Sequence, residues 1–216
     1  MTIDWIWSNL PRIGELTAIH IGLTLAPTLL GLLLALPLGW WAHRSRRIYP
    51  FIVGTAGLLY TIPSVALFVI LPPILGTKIL DPINVVVAMT VYTVALLVRV
   101  VADGLSSVPH ETVQSAEAMG YRGWQRLFLV ELPVAVPVIA TGLRVAVVTN
   151  VSILTVASLI GVAQLGSLFT QGFQLTLFIP IVTGIVLCVL LAVVLDSLIL
   201  LLNRALTPWR QRTVTS

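Results

Sequence analysis

The chain has 216 residues, of which 58% are hydrophobic and only 9% charged, and its mean hydropathy is +1.05. A soluble domain carries about 25% charged residues, so this composition cannot cover a globule in water; it equally excludes a disordered chain, which needs low hydrophobicity and high charge. One cysteine, Cys188, excludes an intrachain disulfide framework, and the net charge of +4 poses the question of which membrane side holds the cations rather than pointing to nucleic acid.

A spanning helix needs about 20 apolar residues for a hydrocarbon core of roughly 30 Å. Leu16 to Ala42 is the first uncharged run, closed by His43-Arg44-Ser45-Arg46-Arg47. We expect a retained span over 18–42, because a basic start followed by a short apolar core, the mark of a cleaved leader, is missing before it. Ile48 to Thr77 is the second run, read as one span over 50–75 that carries Pro63 and Pro72-Pro73. The third span covers 83–102, with Arg99 near its end. Between Arg144 and Asp196 lie 51 residues without a formal charge, about twice the length that one crossing uses. The chain must turn back, and the polar, glycine-bearing stretch Gly161 to Thr176 is where it does so. The fourth and fifth spans are therefore expected over 134–161 and 177–202. The predicted fold is all-α and integral to the membrane: one domain over 1–216 with five transmembrane helices.

Five spans put the termini on opposite sides. Arg44, Arg46, Arg47, Arg122, Arg126, Arg204, Arg210 and Arg212 fall on one side and Arg12 and Lys78 on the other, eight against two. Cytoplasmic loops hold the excess of Lys and Arg, so the N-terminus is expected outside and the C-terminus in the cytoplasm. Trp5, Trp7, Trp40, Trp41 and Trp209 are expected at span ends, where an amphipathic ring prefers to sit. No internal repeat is visible.

The connector 103–133 is the one sizeable polar segment. Ser106 or Ser107 can cap a helix, Pro109 suits its first turn, Glu111 favours its positive end and Gly120 suits a left-handed stop. A second short helix is expected from Gly123 to Glu131, ending at Pro133. Ala116, Ala118, Met119, Trp124, Leu127, Phe128 and Leu129 would form an exposed apolar face unless a partner covers it; the plainer alternative is a solvated connector.

These residues carry a resemblance. Gln114-Ser115-Ala116, then Gly120 after three residues, then Val130-Glu131-Leu132-Pro133 after nine more, resemble the Glu-Ala-Ala, Gly, Ile-x-Leu-Pro motif of bacterial ABC importer permeases. Gln114 and Ser115 depart from it, and Gln114 lacks the charge of the motif's Glu. Tyr60-Thr61-Ile62-Pro63-Ser64-Val65-Ala66-Leu67, Pro133 to Ile139, Gly142-Leu143-Arg144 and Ser158-Leu159-Ile160-Gly161 are similar to segments of permeases for glycine betaine, choline, carnitine and related osmoprotectants such as proline. Ala163-Gln164-Leu165-Gly166 stands where those relatives have Gly-Gly-Leu-Gly. The resemblance covers roughly 18–205.

It implies a type I ABC importer permease in the bacterial cytoplasmic (inner) membrane, whose 103–133 connector is a coupling helix. Gln114, Ser115, Ala116, Met119, Gly120, Leu132 and Pro133 would couple to the ATPase, with Ala116 and Met119 on one outward side. Tyr60, Thr61, Pro63, Ser64, Gly161 and Gly166 are candidates for the pathway or its gate. The partners implied are two cytoplasmic ATPase subunits, a second permease chain, identical or paralogous, an extracytoplasmic binding protein and membrane lipid. No GxxxxGK[ST] phosphate loop occurs, so no cofactor is expected on this chain, and ATP and Mg belong to the ATPase; the chain is read as a transport subunit and not an enzyme.

Arg99, Arg144 and Asp196 map to the cytoplasmic third of their spans, where a charge is costly unless paired or able to snorkel. Arg144 and Asp196 can pair between helices, and Arg99 and Asp103 are four apart on one; structural pairing is the plainer role and gating the alternative. Quaternary ammonium recognition wants an aromatic cage, whereas Tyr60, Phe68, Tyr92 and Phe178 read as packing residues. His20, His43 and His110 lack metal-ligand spacing, and Cys188 reads as a packing residue. Two other functions stay open: permease for methionine, an amino acid or phosphonate, and, from another class, a transporter or channel subunit working without ATP.

Overall fold

Hydrocarbon offers backbone N–H and C=O groups no partner outside the chain, so apolar runs there become helices. The computed structural model describes residues 2–45 and 47–209, and no strand occurs among them. Arg46, Arg210 and Arg212, three of the cations used to orient the chain, lie outside the described residues. The helices are α1 (Thr2–Arg44), α2 (Tyr49–Thr61), α3 (Ser64–Leu75), α4 (Pro82–Ser106), α5 (His110–Ala118), α6 (Gly123–Arg126), α7 (Leu132–Val156), α8 (Ser167–Leu175) and α9 (Phe178–Leu206). A π turn, Leu127–Glu131, joins α6 to α7, and a 3₁₀ turn, Ala157–Ile160, ends α7. Asp4–Arg44, Pro82–Ser106, Gly123–Ile160 and Phe178–Leu206 are each long and apolar enough to cross a membrane, and α2 with α3 brings the number to five if that bent pair is one span.

Three boundaries differ from the sequence expectation. The single span over 50–75 is two helices meeting at 99°. Proline disfavours helical geometry in the residue before it, and Ile62 is extended at φ −65°, ψ 130°. The Tyr92 hydroxyl donates to the Ile62 carbonyl at this break. The first helix begins at Thr2 rather than near residue 18, and its 43 residues run to roughly 65 Å at 1.5 Å each. Trp5 thus lies in the first turn of this helix and Trp7 in the second; Trp5 packs on the cluster of Leu16, Val147, Val151, Leu165 and Leu168, which gives that extra length something to fold against. Finally, the short helix expected to stop at Pro133 continues into the fourth span. Proline lacks an N–H and crowds the carbonyl four residues back, and the wider π turn before it lets the helix pass through.

α4 is the hub, with α1, α2, α3 and α7 all packed against it. A Cβ on Gly31 would stand 2.4 Å from Cγ2 of Thr93, and one on Gly39 2.6 Å from Val101, so the bare glycine face of α1 sets its approach to α4, as small residues do in membrane interfaces. Across the centre, Asn150 donates to the hydroxyls of Thr28 and Thr93, each at 2.9 Å, tying α7 to α1 and α4. Those hydroxyls spend their own protons on the carbonyls of Thr24 and Met89, which leaves their lone pairs free to accept.

The two ends of the bundle are distinct. His43 Nδ1 lies 2.9 Å from the Ser106 hydroxyl, and Tyr49 donates to Asp103 at 2.7 Å, so the basic turn after α1 and the connector after α4 share one end. At the other end the 76–81 turn meets the turn after α7, where a Cβ on Gly161 would stand 2.6 Å from Leu80.

Candidate functional site

The connector is more organised than its sequence suggests. Ser106 and Ser107 do not cap α5; they close α4, donating to the carbonyls of Ala102 and Gly104 at 2.8 and 2.7 Å, and Pro109 opens α5 with extended backbone. The other end of α5 is as expected. Gly120 is left-handed at φ +83°, Tyr121 N–H reaches the Ala116 carbonyl at 3.1 Å and Gly120 N–H that of Glu117 at 2.9 Å. This pair of bonds is a Schellman stop.

After the reversal, Arg126 donates to two carboxylates, Glu117 on α5 and Glu131 in the π turn. Glu131 is 2% exposed, and a buried carboxylate needs such a partner. The guanidinium thereby braces α5 against the start of the fourth span. Sequence reasoning missed this brace; its one trace was an arginine flanked by glutamates in a segment already expected to fold back.

Ala116 corrects the expected outward face. It is 1% exposed, whereas Met119 is 69% exposed: Ala116 is enclosed by its own chain and Met119 points away. Gln114 and Ser115 are exposed, with Gln114 Nε2 3.1 Å from His110 Nε2 and the Ser115 hydroxyl on the Glu111 carbonyl. Leu132 and Pro133 are half-buried where the π turn enters α7. The apolar strip left uncovered is Met119, Trp124, Phe128 and Leu129, each at least 60% exposed.

Among the pathway candidates, Tyr60, Thr61 and Pro63 are exposed at the outside of the 99° elbow and Ser64 is half-buried. Tyr60 stands edge-on to Tyr92 at 5.8 Å. Gly161 is exposed and left-handed at φ +88°, while Gly166 is buried, and a Cβ there would be 2.2 Å from the Thr155 carbonyl. Between these glycines Gln164 is wholly buried and ties the turn together. Its Nε2 donates to the carbonyls of Leu154 and Thr155 at 2.9 and 3.2 Å, and its Oε1 accepts from Gly166 N–H and faces His20 Nδ1 at 3.1 Å. The turn is held by side-chain amide bonds as well as by the left-handed Gly161. Of the aromatics read as packing, Phe68 and Tyr92 are buried, but Tyr60 is 40% and Phe178 77% exposed.

The charges fall into separate pairs. Arg144 on α7 grips Asp196 on α9 through two bonds of 2.7 Å, the fork geometry that carboxylates favour. Arg99 instead reaches Asp103 at 3.4 Å, and Asp103 also accepts from Tyr49. Among the described residues no group of three His, Cys, Asp or Glu is placed to hold a metal ion.

Residues 28–208 match the family described as "Binding-protein-dependent transport system inner membrane component". The chain is 35% identical over 210 residues to the osmoprotectant import permease protein OsmW of Salmonella typhimurium, covering 96% of this chain and 97% of that protein. It is 30% identical to the glycine betaine/carnitine/choline transport system permease protein OpuCB of Bacillus subtilis, over 90% of each. A solved structure of the MetNI methionine ABC transporter in an inward-facing conformation superposes with a TM-score of 0.82 at 22% identity, covering 96% of this chain and all of that one. At that identity the superposition speaks for the fold alone.

Proposed function

We propose, from the premise that this chain belongs to the family of binding-protein-dependent transport system inner membrane components, that it forms one half of the pathway through which an ATP-driven importer admits a small osmoprotectant. The chain is a permease subunit of an ABC importer and not an enzyme, as its relatives are, and the inner membrane is the family's place. The proposed solutes, glycine betaine, choline, carnitine or proline, rest on the names of those relatives. Two copies of this chain, or this chain and a paralogue, would enclose the pathway, since five spans are too few to do so alone. Two ATPase subunits carrying ATP and Mg would each hold one connector, and an extracytoplasmic binding protein would deliver the solute. The N-terminus would lie outside and the C-terminus in the cytoplasm.

The observation that carries the coupling role is the strip Met119, Trp124, Phe128 and Leu129, held outward on a connector that Arg126 braces. Of these Met119, at the end of α5, lies outside every candidate span, and an apolar side chain so exposed there calls for a protein partner. A groove on the ATPase that covers Met119 would not tolerate a carboxylate there. Co-purification of the ATPase with wild-type and Met119→Asp permease tests this: recovery should fall by roughly tenfold or more, and equal recovery at equal permease expression would overturn the coupling role. Uptake of labelled glycine betaine and of labelled methionine by the assembled transporter decides between the osmoprotectant reading and the methionine alternative.

A further inference from the structure

The uncovered faces of the bundle differ in chemistry. α9 presents Ile185, Val189, Val193 and Leu201, and α1 presents Leu29 and Leu33, all suited to acyl chains. α7 and the turn after it are mixed: Thr141 and Ser152 are exposed beside Val145 and Val148, Thr155 and Ser158 are half-buried, and the Arg144–Asp196 pair is open to the outside, with 34% and 28% of the two side chains exposed. A partly open ion pair among hydroxyls suits water or a second permease across it better than acyl chains.

At the end of this face remote from the connector, a cavity of about 360 Å³ opens between α7 and α8, lined by Thr155, Ser158, Phe169, Thr170, Phe173 and Gln174, among others. None of its lining residues carries a formal charge. Its three hydroxyls have each committed their proton: Thr155 to the Ser152 carbonyl at 2.7 Å, Ser158 to that of Thr155 at 2.8 Å, and Thr170 to that of Ser167 at 3.1 Å. What they present to the cavity is therefore lone pairs. Phe169 lies over Gly184, where a Cβ would be 2.6 Å from its ring, and Phe173 is 83% exposed. Two aromatic rings and three acceptor oxygens line the cavity together, a combination that favours a cation, and with no carboxylate it suits a large, weakly hydrated one.

We infer that this cavity is a binding subsite for a methylated ammonium head group on the solute path. The inference rests on the permease reading only in taking the α7 face to line that path. The missing signal at the sequence level was aromatic content in the spans; these two rings come from the turn between them.

The test uses the permease assembled with its ATPase and second permease chain in lipid discs, without the binding protein, and two probes of equal shape: choline, and its uncharged carbon analogue 3,3-dimethyl-1-butanol. Choline should bind about tenfold tighter than the analogue or better. Phe173→Ala should weaken choline by roughly three- to thirtyfold, Phe173→Trp should keep it, and Thr155→Val, nearly equal in shape, should weaken it with insertion unchanged. Equal binding of both probes, or choline binding indifferent to both Phe173→Ala and Thr155→Val, would overturn the subsite. Uptake separates this from the wider reading: choline binding that responds to these variants in a transporter importing only methionine would sink the osmoprotectant role and leave the subsite standing, whereas betaine uptake with choline binding insensitive to the variants would do the reverse.

Discussion

Gly120 is the sharpest place to perturb the connector, because the structure separates conformation from contact there. The residue sits at φ +83°, and a Cβ built on it meets nothing within 4 Å, so any side chain has room and only backbone strain remains. Holding an L-residue in the left-handed region costs about 1–2 kcal/mol, less for Asn and more for a β-branched residue. Leaving that region instead would forfeit the two bonds from Gly120 and Tyr121 N–H to Glu117 and Ala116, at about 1 kcal/mol each, and would pull Glu117 away from Arg126. Either route comes to about 2 kcal/mol, or roughly thirtyfold in the fraction of connectors held in the bent form. Solute uptake and ATPase stimulation should therefore fall in the order Gly, Asn, Ala, Val, at equal membrane insertion. Wild-type uptake by Gly120→Val would refute the argument from strain. Equal losses for Gly120→Asn and Gly120→Val would refute it too, since they would point to a partner packed on the glycine itself.

Three further outcomes follow from other parts of the molecule. Arg126→Met strands the buried Glu131 and should destabilise the connector by about 3 kcal/mol, read as faster proteolysis within 110–131, with Arg126→Met/Glu131→Leu recovering most of it. Arg144→Met should impair uptake by leaving Asp196 alone in its span, and the swap Arg144→Asp/Asp196→Arg should restore part of it; no recovery in the swap would mean that the pair does more than hold α7 to α9. With Cys188 replaced by Ala, cysteine at 78 should label from outside and cysteine at 204 only from inside, and label reaching 204 from outside would reverse the proposed topology.

The membrane class, the apolar stretches and the left-handed stop at Gly120 were legible in the residues. Arg144 and Asp196 could be named as possible partners, because a charge in a long apolar run has so few to choose from, but that they pair is seen only in the fold. The elbow at Pro63 was visible as a proline but not as a 99° turn. Proline disfavours helical geometry in the residue before it, and what the chain does with the freed carbonyl depends on Tyr92, thirty residues on. The outward strip was half right. Ala116 and Met119 are three apart and share a helix side in projection, yet the chain that returns after Gly120 covers the first and not the second.

By itself, the sequence determined where chain leaves water and where it turns, since hydrocarbon acts on every residue alike and its demand for helix is local. The tertiary structure alone decided which polar atoms meet. Gln164 serves His20, Leu154, Thr155 and Gly166 at once; Asn150 joins Thr28 to Thr93; and the Arg144–Asp196 pair ties α7 to α9 on a face left partly open. The contacts of Gln164 with His20 and of Asn150 with Thr28 and Thr93 span tens of residues in sequence, the shorter ones depend on how the turn packs, and directional bonds at about 2.7–3.2 Å form only once packing has set the helices' depth and rotation.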